Sequence, residues 1–239
     1  VVLEALPEYV KKRYRPTHIV VEPDSETMVG NKGWRTSTNS ILLARTIVLD
    51  LTRSEDDLLA AMTKKTRQYI RKSSTDGVRV QQLGAKDVAR CLEVYKETAR
   101  RAQFALHDDS YYHDLHKAMG ESSIIFGAYE GETLLAFVWL VATPEVAFEL
   151  YGGVTDRGQE LRANYALKWH AIKKSRQWGI AHYDMNGLLN DGVSTFKQGF
   201  ANHETNLAGT YDYPLSPLYS IWTRVFPAAK KALQKLKRR

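Results

Sequence analysis

Apolar positions in the centre of the chain form short runs separated by turn residues, which is the pattern of neighbouring β-strands. The longest run, L-L-A-F-V-W-L-V-A-T at 134–143, is too short to span a bilayer and predicts a buried strand. Short turns at 130–133 and 143–145 indicate antiparallel neighbours. The predicted strands are 123–129, 134–142, 146–152 and 180–185. A helix over 161–178, ended by Gly179, comes before the last of them.

Helical periodicity dominates the stretch before these strands. Three acidic residues, Glu55–Asp57, follow Ser54 and suit the positive end of a helix that continues to residue 72. A second helix is predicted over 85–101. Helices followed by an antiparallel meander, a helix and a strand indicate an α+β domain. We place a domain boundary near residue 76.

The charge of the chain is uneven. The 239 residues carry a formal net charge of +7. A basic surface favours polyanions such as tRNA or DNA phosphates, diphosphate-linked substrates or an anionic membrane face, although it also serves plain solubility. The basic clusters are Lys11–Arg15, Lys64–Lys72, Lys173–Arg176 and Lys230–Arg239.

Metal and disulfide chemistry are not expected. Cys91 is the single cysteine, so the chain has no intramolecular disulfide, and a thiolate zinc site is implausible. His113 and His116, at i and i+3, come nearest to a metal-ligand spacing, but we expect no metal site.

The segment Tyr183–Phe200 combines chemical groups that ordinary loops seldom bring together. It reads Y-D-M-N-G-L-L-N-D-G-V-S-T-F-K-Q-G-F. Its glycines allow positive φ and close approach of a ligand to main-chain N–H groups. Asp184, Phe196 and Lys197 lie within this one excursion. The pattern fits a ligand-binding loop, or a glycine-rich connection whose Phe residues fill the core and whose Lys is solvated.

The order of elements resembles the core of the GNAT acetyltransferases. That family cradles coenzyme A with a Q/R-x-x-G-x-G/A loop before the helix. The corresponding segment here is G-V-T-D-R-G-Q-E-L, residues 153–161, and it does not fit the motif. We therefore expect no coenzyme A.

Five segments, in order, resemble the FemABX family of peptidoglycan bridge-forming aminoacyltransferases. The helix ending K-K-T-R-Q-Y-I-R-K precedes Asp76–Val80, as in the family's K-x-R-x-x-I-R-K and G-V-x-V segments. Glu97–Arg101 is similar to its T-x-x-R, and Tyr151–Gly153 to the end of its third strand. Tyr183–Phe200 resembles its Y-D-F-G-G-I … F-K-x-G-F signature, with Met185 and Asn186 as departures.

The resemblance implies an α+β fold of two GNAT-like subdomains with mixed, largely antiparallel sheets flanked by helices. Residues 1–75 are then the remainder of the first subdomain, whose start we expect to be missing, and 76–205 the second. A C-terminal helix over 206–239 is expected to pack on the first. The family's long helical arm is absent, which indicates the short type.

The implied activity is transfer of an amino acid from aminoacyl-tRNA to the stem-peptide amine of a peptidoglycan precursor, either lipid-linked or UDP-MurNAc-pentapeptide. The resemblance implies no cofactor, a monomer, and a place in the bacterial cytoplasm, with peripheral contact between the basic C-terminal segment and an anionic membrane left open. Two alternatives remain: a GNAT-like N-acyltransferase using another acyl donor, and a non-catalytic basic module that binds RNA or membrane.

Lys197 is the first choice for a catalytic residue, because its ammonium group suits a tetrahedral oxyanion or the terminal nucleotide of the tRNA. Phe196 is expected to stack on the terminal adenine. Gly199 flanks this pair and is included among the substrate-binding residues. Asp184 is expected to orient the amine or accept its proton, or else to hold the turn.

Four further residues are candidates for substrate binding. Arg67 and Arg101 suit a diphosphate, because the guanidinium fork matches phosphate oxygens; the alternative is an ion pair on a helix surface. Tyr112 and Tyr151 are candidates for lining a peptide channel, or for ordinary core residues.

Overall fold

The structure is a computed structural model that describes residues 2–28, 32–40, 42–189, 191–221, 223 and 225. The helices are α1 (Val2–Tyr14), α2 (Glu55–Ala61), α3 (Lys64–Thr75), α4 (Val88–Ala102), α5 (Asp109–Met119), α6 (Asp156–Glu160), α7 (Ala163–Gln177) and α8 (Gly192–Gln198). The strands are β1 (His18–Val21), β2 (Arg35–Thr36), β3 (Arg45–Thr46), β4 (Val48–Asp50), β5 (Arg79–Leu83), β6 (Ser123–Glu130), β7 (Thr133–Ala142), β8 (Val146–Val154), β9 (His182–Asp184), β10 (Thr205–Asn206) and β11 (Tyr211–Pro214).

Contacts divide the chain into two compact units. One comprises the residues up to Thr46 together with those from Thr205 onwards, and the other is Ile47–Glu204. The sequence placed residues 47–75 with the first unit, but β4 pairs with β9 and α3 packs against α7. These contacts group residues 47–75 with the second unit.

The second unit is built on a six-stranded sheet of order β4-β9-β8-β7-β6-β5. The pair β8–β9 is parallel, and the other neighbours are antiparallel. Strands β6, β7 and β8 form the predicted meander. The sheet is therefore mixed and largely antiparallel, with helices packed against it, and the predicted α+β class is confirmed.

Strand β7 explains the long apolar run, because both of its faces are buried. Ala136, Val138 and Leu140 join one hydrophobic cluster, to which α3 and α7 contribute. Phe137 and Trp139, which alternate with them, join a second cluster with residues of α4 and α5. Successive side chains of a strand point to opposite faces, so a strand covered on both sides is apolar throughout.

The helix predicted from residue 55 to residue 72 is two helices. The Thr63 side chain accepts a hydrogen bond from the Thr66 N–H at 3.2 Å and so caps the start of α3. Ser54 caps α2 in the same way, as the sequence predicts. A capping residue in extended conformation ends one helix and begins the next. The helix predicted over 161–178 is present as α7, and the short helix α6 comes before it.

The first unit contains a three-stranded sheet of order β1-β11-β2 and the two-stranded pair β10-β3. Helix α1 was not predicted. The helix expected over 206–239 begins instead with β10 and β11, because Tyr211–Pro214 pairs with β1 and β2 and so becomes the central strand of a sheet. These pairings join the segment to residues of the first unit. The basic stretch 226–239 lies outside the described residues. In the described part of the chain, no helix is both long and apolar enough to cross a membrane.

Candidate active site

A cleft of about 870 Å³ opens in the second unit where two parallel strands part. Strands β8 and β9 are paired from Val146↔His182 to Phe148↔Asp184. Beyond that point β8 continues to Val154 and lines the cleft, while the chain after β9 lines it with Met185 and Asn186. Ligands commonly bind in α/β sheets where the carboxyl ends of strands separate.

Strand β8 is irregular at the same point. Trp139 pairs with Tyr151, and Leu140 pairs with Glu149, so Leu150 is an extra residue in β8. A bulge of this kind bends the strand and redirects side chains, and bulges are frequent beside active sites. Here it borders the cleft-lining stretch of β8.

Lys197, on α8, lines the cleft with its ammonium group held by main-chain oxygens. Its Nζ donates to Gly187 O at 2.9 Å and lies 3.4 Å from Asn186 O. Desolvation is the largest influence on the pKa of Lys197 and lowers it from the ordinary value. The side chain is therefore positioned and partly withdrawn from water, although the sequence alone also allowed a solvated lysine.

A buried ion pair also borders the cleft. Lys168 Nζ, on α7, lies 2.5 Å from Oε1 and 2.6 Å from Oε2 of Glu149, on β8. The two residues are 5% and 8% exposed. Tyr183, on β9, donates its hydroxyl to Glu149 Oε1 at 2.7 Å. Desolvation is the largest cause that raises the pKa of this hydroxyl, and the Glu149 carboxylate raises it further. Three elements of the second unit therefore meet at one carboxylate.

Phe196 lies beside this pair and lines the cleft. Its ring centroid is 5.1 Å from Lys168 Nζ and 4.8 Å from the centroid of Tyr165, with the two rings nearly perpendicular. Phe200 packs 5.2 Å from Phe196 and is fully buried. Phe200 thus belongs to the core, and Phe196 belongs to both the aromatic cluster and the cleft wall.

Asp184 lies at the end of β9 and is 6% exposed. Its Oδ1 accepts a hydrogen bond from the Asn186 N–H at 2.8 Å, which is an Asx-type turn. Asn186 has a left-handed backbone with φ of 64°, a conformation that Asn tolerates better than most residues. Asp184 is absent from the described residues that line the cleft. The geometry therefore places Asp184 at the turn.

Helix α8, which the sequence did not predict, begins at the Asp-Gly turn. Asp191 is its N-cap, and Asp191 Oδ1 accepts from the Ser194 N–H and hydroxyl at 2.8 Å each. The bond from the Ser194 N–H is the largest of the influences that lower the pKa of Asp191. This short helix presents Phe196 and Lys197 to the cleft.

Arg101 lines the cleft but is already engaged. It donates to Val154 O at 2.7 Å and to Asp156 Oδ1 at 2.8 Å. Thr98, three residues earlier on α4, donates its hydroxyl to Val154 O at 3.1 Å and accepts from the Val154 N–H at 3.0 Å. Thr98 and Arg101 share one face of α4, because residues three apart are neighbours on a helix surface. Both side chains therefore form hydrogen bonds with the end of β8.

Arg67 and Gly199 lie outside the described lining of the cleft. Arg67 donates to Leu59 O and, at 2.5 Å, to Met62 O, so it satisfies carbonyls at the end of α2. A Cβ on Gly199 would lie 2.4 Å from Thr66 Oγ1, and Gly199 O accepts from the Thr63 N–H. Gly199 allows α8 to approach α3 closely.

The rings of the two predicted tyrosines pack against each other, with centroids 5.2 Å apart, but of the two only Tyr151 is in the described lining of the cleft. Tyr112 is 2% exposed and its hydroxyl accepts from the His107 N–H at 3.2 Å, within the second hydrophobic cluster. Tyr151 lines the cleft beside Tyr95. Burial is the main cause that raises the pKa of both Tyr151 and Tyr95, the latter to about 12. Both phenols therefore stay neutral at physiological pH.

The sequence did not single out Glu149, Lys168, Tyr69 or Arg162, all of which line the cleft. Lys168 lies three residues after Tyr165 and four before Ile172, so helical periodicity places it on the buried face of α7. Glu149 interrupts an apolar strand pattern. The signal available in the sequence was therefore a lysine and a glutamate at positions where the helix and strand patterns predict apolar residues. Arg162, the N-cap of α7, stacks 4.4 Å from the Tyr69 ring.

The described residues contain no group of three or more His, Cys, Asp or Glu side chains arranged to hold a metal ion. The polar groups of the cleft are instead two lysines, two arginines, one glutamate, Asp191 and amide or hydroxyl groups. Ammonium and guanidinium groups stabilise negative charge directly, so the arrangement suits a reaction that develops an oxyanion.

Comparison with known proteins finds relatives that are named as transferases. A Staphylococcus epidermidis lipid II:glycine glycyltransferase is 20% identical over an alignment of 328 residues that covers 100% of this chain and 79% of the relative. The Staphylococcus aureus protein of the same name is 28% identical over 102 residues, covering 39% of this chain and 24% of the relative. These relatives support a transferase.

A crystal structure of FemX superimposes with a TM-score of 0.83 at 17% identity, covering 93% of this chain and 79% of that chain. This likeness shows that the fold is shared. The model of the FemAB family matches residues 32–131 and 125–225, which together include most of the chain. Because this match extends over more than half of the sequence, the chain belongs to the FemAB family.

Proposed function

We propose that this chain transfers an amino acid from aminoacyl-tRNA to the stem-peptide amine of a peptidoglycan precursor, at the inner face of the bacterial membrane. The observation that carries the proposal is Lys197, a positioned and partly desolvated ammonium group in the cleft of a FemAB-family fold. The names of the relatives, which refer to lipid II and glycine, support a lipid-linked acceptor and a small amino acid.

The reaction is aminolysis of an ester. The acceptor amine forms a C–N bond with the ester carbonyl, which becomes a tetrahedral oxyanion. The C–O bond then breaks, the ribose hydroxyl of the tRNA leaves, and the proton lost by the amine ends on that oxygen. No redox partner or further co-reactant is needed. Lys197 is assigned to the oxyanion, because an ammonium group there stabilises charge that develops in the transition state.

The remaining cleft residues supply binding. Phe196 offers a ring at the cleft wall on which the terminal adenine stacks. The half-buried Tyr69 ring and the Arg162 guanidinium that stacks on it extend this surface. Tyr151 and Tyr95 give a neutral aromatic wall for the peptide. Asp184 is assigned to hold the turn that carries Asn186.

The test is transfer of label from charged, labelled tRNA to a lysine-containing stem peptide, supplied either as lipid-linked or as UDP-linked precursor. The wild-type protein is expected to label the lipid-linked precursor. Lys197→Ala is expected to lower kcat by about 10²- to 10³-fold, the usual effect of removing one oxyanion-stabilising group. Lys86→Ala serves as the matched control, because Lys86 is exposed and outside the described cleft lining.

Each arm has a distinct result. Transfer that survives in Lys197→Ala with an unchanged rate contradicts the assignment of Lys197. Turnover of acyl-coenzyme A, without transfer from tRNA, contradicts the donor. Salt-sensitive tRNA binding without any transfer would identify a binding module instead of an enzyme.

A further inference from the structure

The buried pair Glu149–Lys168 is not explained by stability alone. Removing two charges from water is costly, and replacing a buried ion pair with apolar residues is often neutral or stabilising. Both residues nevertheless border the cleft, at 8% and 5% exposure. Their position beside the proposed transfer site calls for a role in that site.

The main chain of Glu149 holds the loop that anchors Lys197. Asn186 Nδ2 donates to Glu149 O at 3.0 Å. Asn186 and Gly187 in turn present the carbonyl oxygens nearest to Lys197 Nζ, at 3.4 Å and 2.9 Å. The Glu149 side chain is itself fixed by Lys168 and by the Tyr183 hydroxyl. A continuous set of hydrogen bonds thus connects the buried pair to the Lys197 ammonium group.

The ring of Phe196 provides a second connection. Lys168 Nζ lies 5.1 Å from the Phe196 centroid and 5.9 Å from the Phe200 centroid. A cation over an aromatic face is attracted by the ring quadrupole. Phe196 is the chain neighbour of Lys197, so the same ammonium group that pairs with Glu149 also restrains the helix turn that carries Lys197.

The charges that face Lys197 come from every element around it. They are Glu149 on β8, Lys168 on α7, Asp184 on β9 and Asp191 at the start of α8. Desolvation is the largest influence and lowers the pKa of Lys197, while Glu149, Asp184 and Asp191 raise it and Lys168 lowers it. The two members of the buried pair therefore act on the Lys197 ammonium in opposite directions.

We propose that Glu149 and Lys168 are positioning residues of the transfer site, which fix the Asn186–Gly187 carbonyls and the Phe196 ring and balance the charge around the Lys197 ammonium group. This inference rests on the proposed function, since it assigns the pair to the residue that stabilises the oxyanion. It predicts that single neutralisations of the two members shift the titration of Lys197 in opposite directions.

The first test measures the titration of Lys197 without any substrate. Trace acetylation of each lysine, followed by mass spectrometry across pH, gives the pH at which the Lys197 amine becomes reactive, with exposed Lys86 as the reference for modification rate. Glu149→Gln is expected to move this transition to lower pH, because a neighbouring negative charge is lost. Lys168→Met is expected to move it to higher pH, because a neighbouring positive charge is lost.

The second test measures kcat for aminoacyl transfer across pH in the same variants. Since the ammonium form of Lys197 is the active one, the alkaline limb of the profile is expected to follow the titration, moving down in Glu149→Gln and up in Lys168→Met. The double variant Glu149→Gln/Lys168→Met, which leaves no unpaired buried charge, is expected to lie between them and to fold as the wild type does. Circular dichroism of each variant separates these shifts from unfolding.

Shifts in the same direction for both single variants, or an unchanged Lys197 titration in both, would overturn the proposal. If one single variant fails to fold, comparison of the other single variant with the wild type and with the double variant still gives the direction in which each substitution shifts the Lys197 titration. If the wild type transfers no amino acid, the proposed function fails, while the acetylation experiment still decides whether the pair sets the charge on Lys197.

Discussion

Two ion pairs, one buried and one exposed, contribute residues to the lining of the same cleft. Lys168 and Glu149 have side chains that are 6% and 10% exposed, and each oxygen of the carboxylate is bonded to the ammonium group. Arg101 and Asp156 also pair, at 2.8 Å, but their side chains are 34% and 79% exposed. Distance alone does not separate the two pairs. Exposure does, because water competes for the second pair and is excluded from the first.

The consequence is that only the buried pair is costly to break. An exposed pair loses little when one partner is removed, since water solvates the remaining charge. A buried charge left without its partner retains its full desolvation penalty. Arg101 and Thr98 also form hydrogen bonds with the main chain of Val154 on β8, and these bonds are independent of the Arg101–Asp156 ion pair.

Removing one buried charge is expected to have the largest effect on stability. Lys168→Met leaves Glu149 unpaired and is expected to lower the free energy of unfolding by about 3–5 kcal/mol. Urea denaturation followed by circular dichroism measures this change. The double variant Glu149→Gln/Lys168→Met is expected to recover most of the loss. A single variant as stable as the wild type would show that the pair is solvated in solution.

Removal of the Thr98 hydroxyl is expected to have an intermediate effect on the free energy of unfolding. Thr98→Val preserves shape but leaves the Val154 N–H without the hydroxyl that it contacts at 3.0 Å, so a loss of about 1–3 kcal/mol is expected. Thr98→Ser, which keeps the hydroxyl, is the matched control and is expected to lose less. Equal losses in both variants would show that the methyl group, not the hydrogen bond, stabilises the end of β8.

Removal of the exposed Asp156 charge is expected to have the smallest effect on the free energy of unfolding. Asp156→Ala removes the partner of Arg101 at an exposed site and is expected to change the free energy of unfolding by at most about 1 kcal/mol. The difference is expected to shrink further in 1 M salt, which screens exposed charges. A loss as large as that of Lys168→Met would remove the distinction between the two regions.

Local patterns were enough to predict much of the second unit. The three meander strands follow from apolar runs and short turns, and the start of α2 follows from Ser54 and the acidic residues after it. The break at Thr63 was missed, because the cap competes with a helical periodicity that continues through it. Helix α8 was missed because glycine and polar residues hid a short helix that begins at the Asp191 cap.

The candidate site was only partly predictable. Lys197 and Phe196 were singled out from a short segment of chain, and both line the cleft. Arg67 was singled out for its guanidinium group and Gly199 for its position beside Lys197, yet both serve the contacts among α2, α3 and α8. Residue type and spacing indicate which side chains could bind a substrate. They do not indicate which of these side chains already form hydrogen bonds or close contacts within the protein.

The sequence by itself determined the mixed α+β class, the order of the central elements and the family resemblance, because these depend on periodicity and on local motifs. The tertiary structure decided which charges are buried. Glu149 and Lys168 are 19 residues apart and lie on a strand and a helix, so no local pattern pairs them. Their burial beside Lys197 arises from the parting of β8 and β9 and the packing of α7 against the sheet, and burial is what gives a charge its energetic weight.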